Sequence, residues 1–535
     1  MTPIRSELPA HTPAPPARAT MSRLIAVAVA AVLGVAANQQ VLAADSGELQ
    51  QLKEQIDRLQ RQVERLQQQA QAPTPAAAAA PSAAAPAPAA STNVGVKAGP
   101  LTLTFGGYMA LESVYRDHNQ TADIGSNYNS AIPFNYQPNA HISEFRESAR
   151  QSRFSLLAQT PLSDGYQGEG YLETDFLSAG TSSNSAESNS YTLRMRNFYG
   201  VLKNVESDWY VLAGQNWSLA TLYSTQLNPR AERAPQTIDA QYVAGFNWTR
   251  NAQIRWVKNW GKEAAFGISL ESPQASIYAG CSGAAFCGSV SNITTNAGGS
   301  LLNSTANYSI DFAPDVIAKF AFDPGWGHYE VYGLARGFRD RSPGTTAGSN
   351  NTTWGTSVGA GMVLPLAGPS LEFQLSGLAG SGIGRYGSAQ LPDATIKPDG
   401  TLKAVSEWHA LAGFLWKPAP ALTVYLYGGK EQASSASYTN AAGTVGYGYG
   451  SPLYSNAGCD LLTGTAATCI GNTKSVENIT IGEWWKVYQG MIGNFQIGLE
   501  YNYLKKKTFA DAAGNDPTAD INMGFVSFRF YPYQR

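Results

Sequence analysis

From Leu101 to the end of the chain, hydrophobic and polar residues alternate with a period of two, which predicts strands rather than helices. The clearest instance is Tyr191 to Trp217, where Leu193, Met195, Tyr199 and Val201 share one parity and Arg194 and Arg196 take the other. A polar stretch, Lys203 to Asp208, joins this run to a second one, Trp209 to Trp217, and the two predict a hairpin. Two architectures suit it. A soluble sandwich would turn the arginines to solvent, whereas a transmembrane barrel would turn the Leu/Met row to lipid and the arginines to a wet interior.

Sixteen such segments begin near Leu101, Ser148, Tyr166, Tyr191, Trp209, Ala252, Glu263, Pro314, His328, Thr353, Ser370, Val405, Ala421, Val476, Asn494 and Asn522. The count is even, as bacterial single-chain barrels require. Short turns, such as Pro161 to Gly165 and Lys417 to Pro420, alternate with long polar loops, such as 218 to 250 and 430 to 475. A sandwich has no reason to segregate loop length by parity, and the fixed repeat of a β-helix is absent. The expected fold is all-β, a 16-stranded antiparallel transmembrane β-barrel around an aqueous channel, with the long loops outside. The third long loop, Ser218 to Arg250, carries Arg230 and Arg233 and is placed to narrow the pore if it folds inward. The sequence does not decide whether it does.

Three segments precede the barrel at 100–535. Residues 1–43 read as leader and signal peptide: Met21-Ser-Arg23, an apolar run from Leu24 to Ala37, and a small-residue cleavage site ending at Ala43. Residues 44–70 form a heptad pattern with Leu49, Ile56 and Val63 at a and Leu52, Leu59 and Leu66 at d, a short periplasmic coiled coil for oligomerisation. Residues 71–99 are an Ala/Pro-rich linker. No apolar run beyond Ala43 is long enough for a transmembrane helix.

Composition narrows the class. Charged residues are 14% of the chain, against about 25% in soluble domains, while aromatic residues reach 11%. The formal net charge of −2 favours no partner, so any electrostatic function is local. In an exported chain, Cys281 with Cys287 and Cys459 with Cys469 predict two local disulfides in external loops. No metal, cofactor or nucleic-acid partner is expected.

Charge at a lipid-facing strand position costs about 2–4 kcal/mol at the membrane midplane, so strand arginines must face the lumen or an interface. A lumenal basic row concentrates anions, and the guanidinium fork suits carboxylates. The candidate pore-lining set is Arg153, Arg194, Arg196, Arg230, Arg233 and Arg255. The competing role for each is to pair with a lumenal acid such as Glu169, Glu173, Asp175, Glu372 or Glu500 and only solvate the wall. A barrel hydrolase would need a serine set beside a histidine, and none of His118, His141, His328 and His409 has a Gly-framed serine partner. An adhesin or structural barrel is the alternative, supported by the length of the outer loops.

Arg153-Phe154 in QSRFSLLAQTP, GYLETDF (Gly170 to Phe176), LRMRNFYG (Leu193 to Gly200), LAGQNWS (Leu212 to Ser218), NAQIRW (Asn251 to Trp256) and GIGRYG (Gly382 to Gly387) followed by Pro392 to Ala394 resemble the DcaP-like family of outer-membrane porins. The resemblance implies a homotrimer of sixteen-stranded barrels in the Gram-negative outer membrane, in contact with its lipid. It also implies an N-terminal periplasmic coiled coil and passage of small anionic solutes, dicarboxylates among them, through an arginine-lined constriction. Ile and Val at a with Leu at d would suit two strands as well as three.

Overall fold

A computed structural model describes residues 95–122, 124, 132–178, 191–282, 294–297, 307–342 and 348–534. The leader, the six heptad residues and Cys287 lie outside these residues. Sixteen strands form one closed antiparallel barrel: β1 (Leu101–Arg116), β2 (Glu144–Ser148 and Arg153–Ser163), β3 (Tyr166–Ser178), β4 (Thr192–Asn204), β5 (Trp209–Trp217), β6 (Arg250–Trp260), β7 (Ala264–Glu271) and β8 (Asp315–Phe322) make one half. The other half is β9 (His328–Ser342), β10 (Ser349–Pro369), β11 (Leu371–Ser381), β12 (Ser406–Ala419), β13 (Leu422–Ala433), β14 (Thr473–Gly490), β15 (Gly493–Thr508) and β16 (Thr518–Tyr531). Each strand pairs with its sequence neighbour, and β16 returns to β1 from Met109↔Phe530 to Arg116↔Met523, which closes the sheet. Closure leaves no edge to aggregate. Gly95–Ala98, within the stretch read as linker, doubles back and pairs with Leu101 to Thr104.

Alternation explains the wall. Met109, Leu193, Ile254, Val331, Leu426 and Ile481 point outward and are exposed, while Glu112, Arg255, Lys319, Glu431 and Asn502 point inward. Exposed aromatics mark both ends of this apolar band: Trp260, Trp326, Trp416 and Tyr488 near the short turns, Tyr115, Phe145, Trp354 and Trp408 near the long loops. On β12, Trp408 and Trp416 lie eight residues apart. At about 3.4 Å per residue and a tilt of ~40°, that is roughly 20 Å along the barrel axis, close to the apolar height of a membrane barrel.

One element departs from the sequence expectation. Tyr199 and Val201 are buried inside, although they share the parity of the exposed Leu193 and Met195. The register supplies the reason: Thr174 faces Met195 and Glu173 faces Asn197, leaving Arg196 as an extra residue in β4. This β-bulge flips the parity beyond it, so that both Arg196 and Asn197 turn inward.

The interior is also less open than an aqueous channel. Residues 218–249, the third long loop, fold into the barrel, where Leu219, Tyr223 and Leu227 pack with Tyr199, Leu212, Val257 and Ile317 in a buried apolar cluster. Wall carboxylates hold the loop by accepting its backbone N–H groups: Glu271 from Leu219 at 2.8 Å, Glu330 from Tyr223 at 3.1 Å, Glu431 from Gly245 at 2.7 Å and Glu500 from Ile238 at 2.7 Å. Wall cations take its carbonyls, Lys319 that of Thr221 at 2.8 Å and Arg529 that of Ile238 at 2.7 Å. Loop and wall approach backbone to backbone at Gly245 and Gly429, where a Cβ would strike the carbonyl of Ala410 or of Ala244.

In the long loop between β13 and β14, Cys459 and Cys469 form a disulfide. The first loop rests on it through Tyr136 N–H to the Cys459 carbonyl at 3.1 Å and Asn135 Nδ2 to the Asp460 carbonyl at 2.7 Å. A closed loop of this length is stabilised by about 3 kcal/mol, a local gain, since strand pairing closes the barrel. Reduction is expected to speed hydrogen exchange across 455–472 and leave the gel mobility of the unboiled barrel unchanged. A collapse of that mobility would contradict the assignment of stability to the strands.

Candidate functional site

The in-folded loop leaves open space against the wall, lined from β1–β5 and β13–β16. There a cavity of about 520 Å³ lies between Arg153, Glu173, Arg194 and Arg196 on the wall and Arg230, Glu232 and Pro235 to Gln241 on the loop. Its lining carries six cations, Arg153, Arg194, Arg196, Arg230, Lys486 and Arg529, against three acids, Glu173, Glu232 and Asp239.

Strand pairing builds the basic side. Asp175 faces Arg194 across β3 and β4, and Arg194 grips it with a bidentate fork, Nε at 2.9 Å and Nη2 at 2.7 Å. The bulge then lets Arg196 span two carboxylates, with Nη1 2.8 Å from Asp175 and Nε 2.6 Å from Glu173. Arg153 stands 3.8 Å from Glu173 and stacks over the Tyr108 ring. From the loop, Arg230 donates to Glu169 at 2.8 Å and to the Tyr199 hydroxyl at 3.1 Å, and lies over the Tyr171 ring. Its backbone has φ of 71°, the left-handed region, where a non-glycine residue costs about 1–2 kcal/mol. Those side-chain contacts hold it there.

The arginines therefore have carboxylate partners, yet the pairs are not neutral toward the lumen. The Arg194 side chain is 31% exposed over an Asp175 that is 0% exposed, and Arg230 is 30% exposed over a Glu169 at 12%. Cations face the lumen and acids lie behind them. At these two pairs the guanidinium is the more exposed partner, although the chain as a whole is nearly neutral. Arg196 is the exception: it is buried and serves as the strut between Glu173 and Asp175.

Of the six sequence candidates, the structure brings Arg153, Arg194, Arg196 and Arg230 together. Arg233 lies apart, bound to Glu372 of β11 by Nε at 3.0 Å and Nη2 at 2.5 Å. Arg255 is fully buried beneath the loop, donating to Gln253, the Tyr223 hydroxyl and the Trp217 carbonyl, and so lines no open passage. The inward parity that nominated it is real, but the loop covers its stretch of wall. Sequence reasoning also missed three residues. Arg529, over the Tyr108 and Trp484 rings and paired with Glu112, is signalled by the Phe528-Arg529-Phe530 alternation. Lys486 has no such signal. Arg250 stacks over Trp217 at 4.7 Å and Trp248 at 5.5 Å, rings that line the cavity, at a position whose parity would have turned it outward.

Burial pushes the Glu232 carboxyl above the usual carboxylate range, and burial does the same to Asp239, whose oxygens accept from Gln151 and Gln241. A carboxyl with a raised pKa binds its proton at a higher pH than an exposed one. Acidification therefore neutralises these two loop acids at a higher pH than exposed carboxylates and makes the cavity more positive. Reversal potentials recorded across a salt gradient at decreasing pH are expected to move further toward the anion limit, and to do so less in a Glu232→Gln/Asp239→Asn variant.

Closed strand pairing, an outward apolar band with aromatic rims and an in-folded third loop define the class, a sixteen-stranded barrel of the porin type. The same fold is found in the outer membrane channel DcaP of Acinetobacter baumannii, with a TM-score of 0.55 and 16% identity, covering 82% of this chain and 99% of that one. An anion-selective porin from Comamonas acidovorans (TM-score 0.41, 10% identity, 81% of this chain and 99% of that one) also aligns. So does Salmonella typhi OmpF in complex with daunomycin (TM-score 0.43, 8% identity, 82% and 100%). No family model and no curated relative matches the chain.

Proposed function

We propose that this chain is a passive outer-membrane porin of the DcaP-like family, trimeric, with a preference for small organic anions such as dicarboxylates. One observation carries the anion preference: at the constriction the guanidinium groups of Arg194 and Arg230 face the lumen and screen the carboxylates behind them. The shared barrel fold and the sequence motifs support the family, and the in-folded loop supports a size-limited passage. The channel works by diffusion. A carboxylate exchanges part of its water for guanidinium N–H donors, and because each arginine already has a resident partner, the solute is held weakly enough to leave.

Liposome swelling tests this reading. Proteoliposomes in isotonic succinate are expected to swell faster than in a neutral or cationic solute of similar size. Equal rates for all three would leave an unselective pore, and no swelling at all would favour the structural or adhesive barrel.

A further inference from the structure

The outer face of β8–β15 carries a feature that permeation does not use. Partners in register across these strands form one outward row: Phe320, Val331, Ala360, Gly377 and Ala410, continuing into the alternating charges Lys430, Glu477, Lys505 and, on β16, Asp520. Ala360, Gly377 and Ala410 have the smallest side chains available, so the wall is recessed along them. Val358 and Trp408 border the recess on one side, Met362 and Leu375 on the other. The recess holds cavities of about 780 Å³ and about 460 Å³ that share Leu375, Trp408 and Ala410, volumes in the range of ligand sites. The second cavity reaches Lys430, Glu477 and Tyr503.

Such a row is perpendicular to the strands, and the strands tilt by ~40°, so the row climbs the barrel as it crosses it. Its apolar part lies in the hydrocarbon band and its charged part near the loop end, about 14 Å further along at ~4.8 Å per strand from Ala360 to Lys430. An apolar trough that runs into a row of ammonium and carboxylate groups matches an amphiphile with a chain at one end and a charged head at the other. Lys430 and Glu477, 3.0 Å apart, are both partly exposed at that end.

We propose that this trough is a binding site for a phosphate-bearing membrane lipid, with one acyl chain over Ala360, Gly377 and Ala410 and its phosphate at Lys430 and Lys505. The site rests on the membrane-embedded barrel proposed above, and its occupant is drawn from the surrounding bilayer. Lipid held there would be less mobile than bulk lipid, since the recess removes chain surface that a flat wall leaves free.

Native mass spectrometry of the detergent-solubilised full chain, titrated with dimyristoylphosphatidylglycerol and separately with dimyristoylglycerol, tests the site. The wild type is expected to retain one phosphatidylglycerol per chain. Ala410→Phe, which fills the trough from the lipid side, should lower retention of both lipids by roughly tenfold. Lys430→Gln with Lys505→Gln should lower only that of phosphatidylglycerol, by a similar factor. Wild-type retention in Ala410→Phe overturns the proposal, as does a wild type that holds no lipid. A fall in oligomer mass in Ala410→Phe overturns it in another way, because a second copy of the chain then covers the trough. Failure of the barrel reading looks different from all of these: the wild-type chain would stay soluble without detergent and would show no heat-dependent gel mobility.

Discussion

Replacing Ala234 to Trp248 by a short Gly/Ser linker is expected to raise single-channel conductance several-fold. This segment crosses the lumen, and both its ends line the same cavity, so a short linker can join them without disturbing β5 or β6. The part of the loop that packs against Leu212 and Val257, from Leu219 to Leu227, stays in place to cover that apolar wall. Without the crossing segment the passage widens toward Tyr427 and Trp484, which now bond to Gln236 of the loop. The variant should also lose much of its selectivity, because a wider pore lets ions pass further from the arginines, where water screens them. Single-channel recording in symmetric salt checks this directly. Unchanged conductance would mean that the narrowest point lies elsewhere.

The second large effect concerns charge. Arg194→Ala with Arg230→Ala leaves Asp175 and Glu169 behind, so the two places that now present guanidinium present carboxylate instead. The change at each is the loss of one positive charge that leaves its acid in place. At 4 Å two unit charges interact by about 1 kcal/mol in water and about 4 kcal/mol at an effective dielectric of 20, so the shift is largest where the passage is narrowest. Reversal potentials should cross from the anion side toward the cation side. Asp175 keeps Arg196 at 2.8 Å, which spares the wall from an unpaired buried charge, so unboiled gel mobility should stay as in the wild type. Wild-type selectivity in this variant would assign the arginines to wall solvation alone.

The barrel itself is legible in the sequence because inside and outside differ so sharply in solvent that strand parity alone sorts Leu193 from Arg194. Two things are hidden. A bulge adds one residue without changing composition, so nothing in LRMRNFYG marks Arg196 as the extra one, and parity alone puts Tyr199 and Val201 on the wrong face. The loop is hidden for a different reason: its anchors are scattered along the chain from Glu271 on β7 to Glu500 on β15 and bond to backbone N–H groups, which nearly any residue supplies. The same cover separates Arg255 from Arg194, two inward arginines of which only one meets the passage.

In the proposed mechanism, arginines lying between the lumen and their own carboxylates make the passage anion-selective. The most direct measurement is the zero-current potential of the purified wild-type protein in a planar bilayer under a tenfold potassium chloride gradient. The sign is expected to report chloride as the more permeant ion, and the magnitude to fall as ionic strength rises on both sides and screening shortens the reach of the guanidinium charges. A potential of the opposite sign would contradict the account, since the carboxylates behind Arg194 and Arg230 would then govern the field.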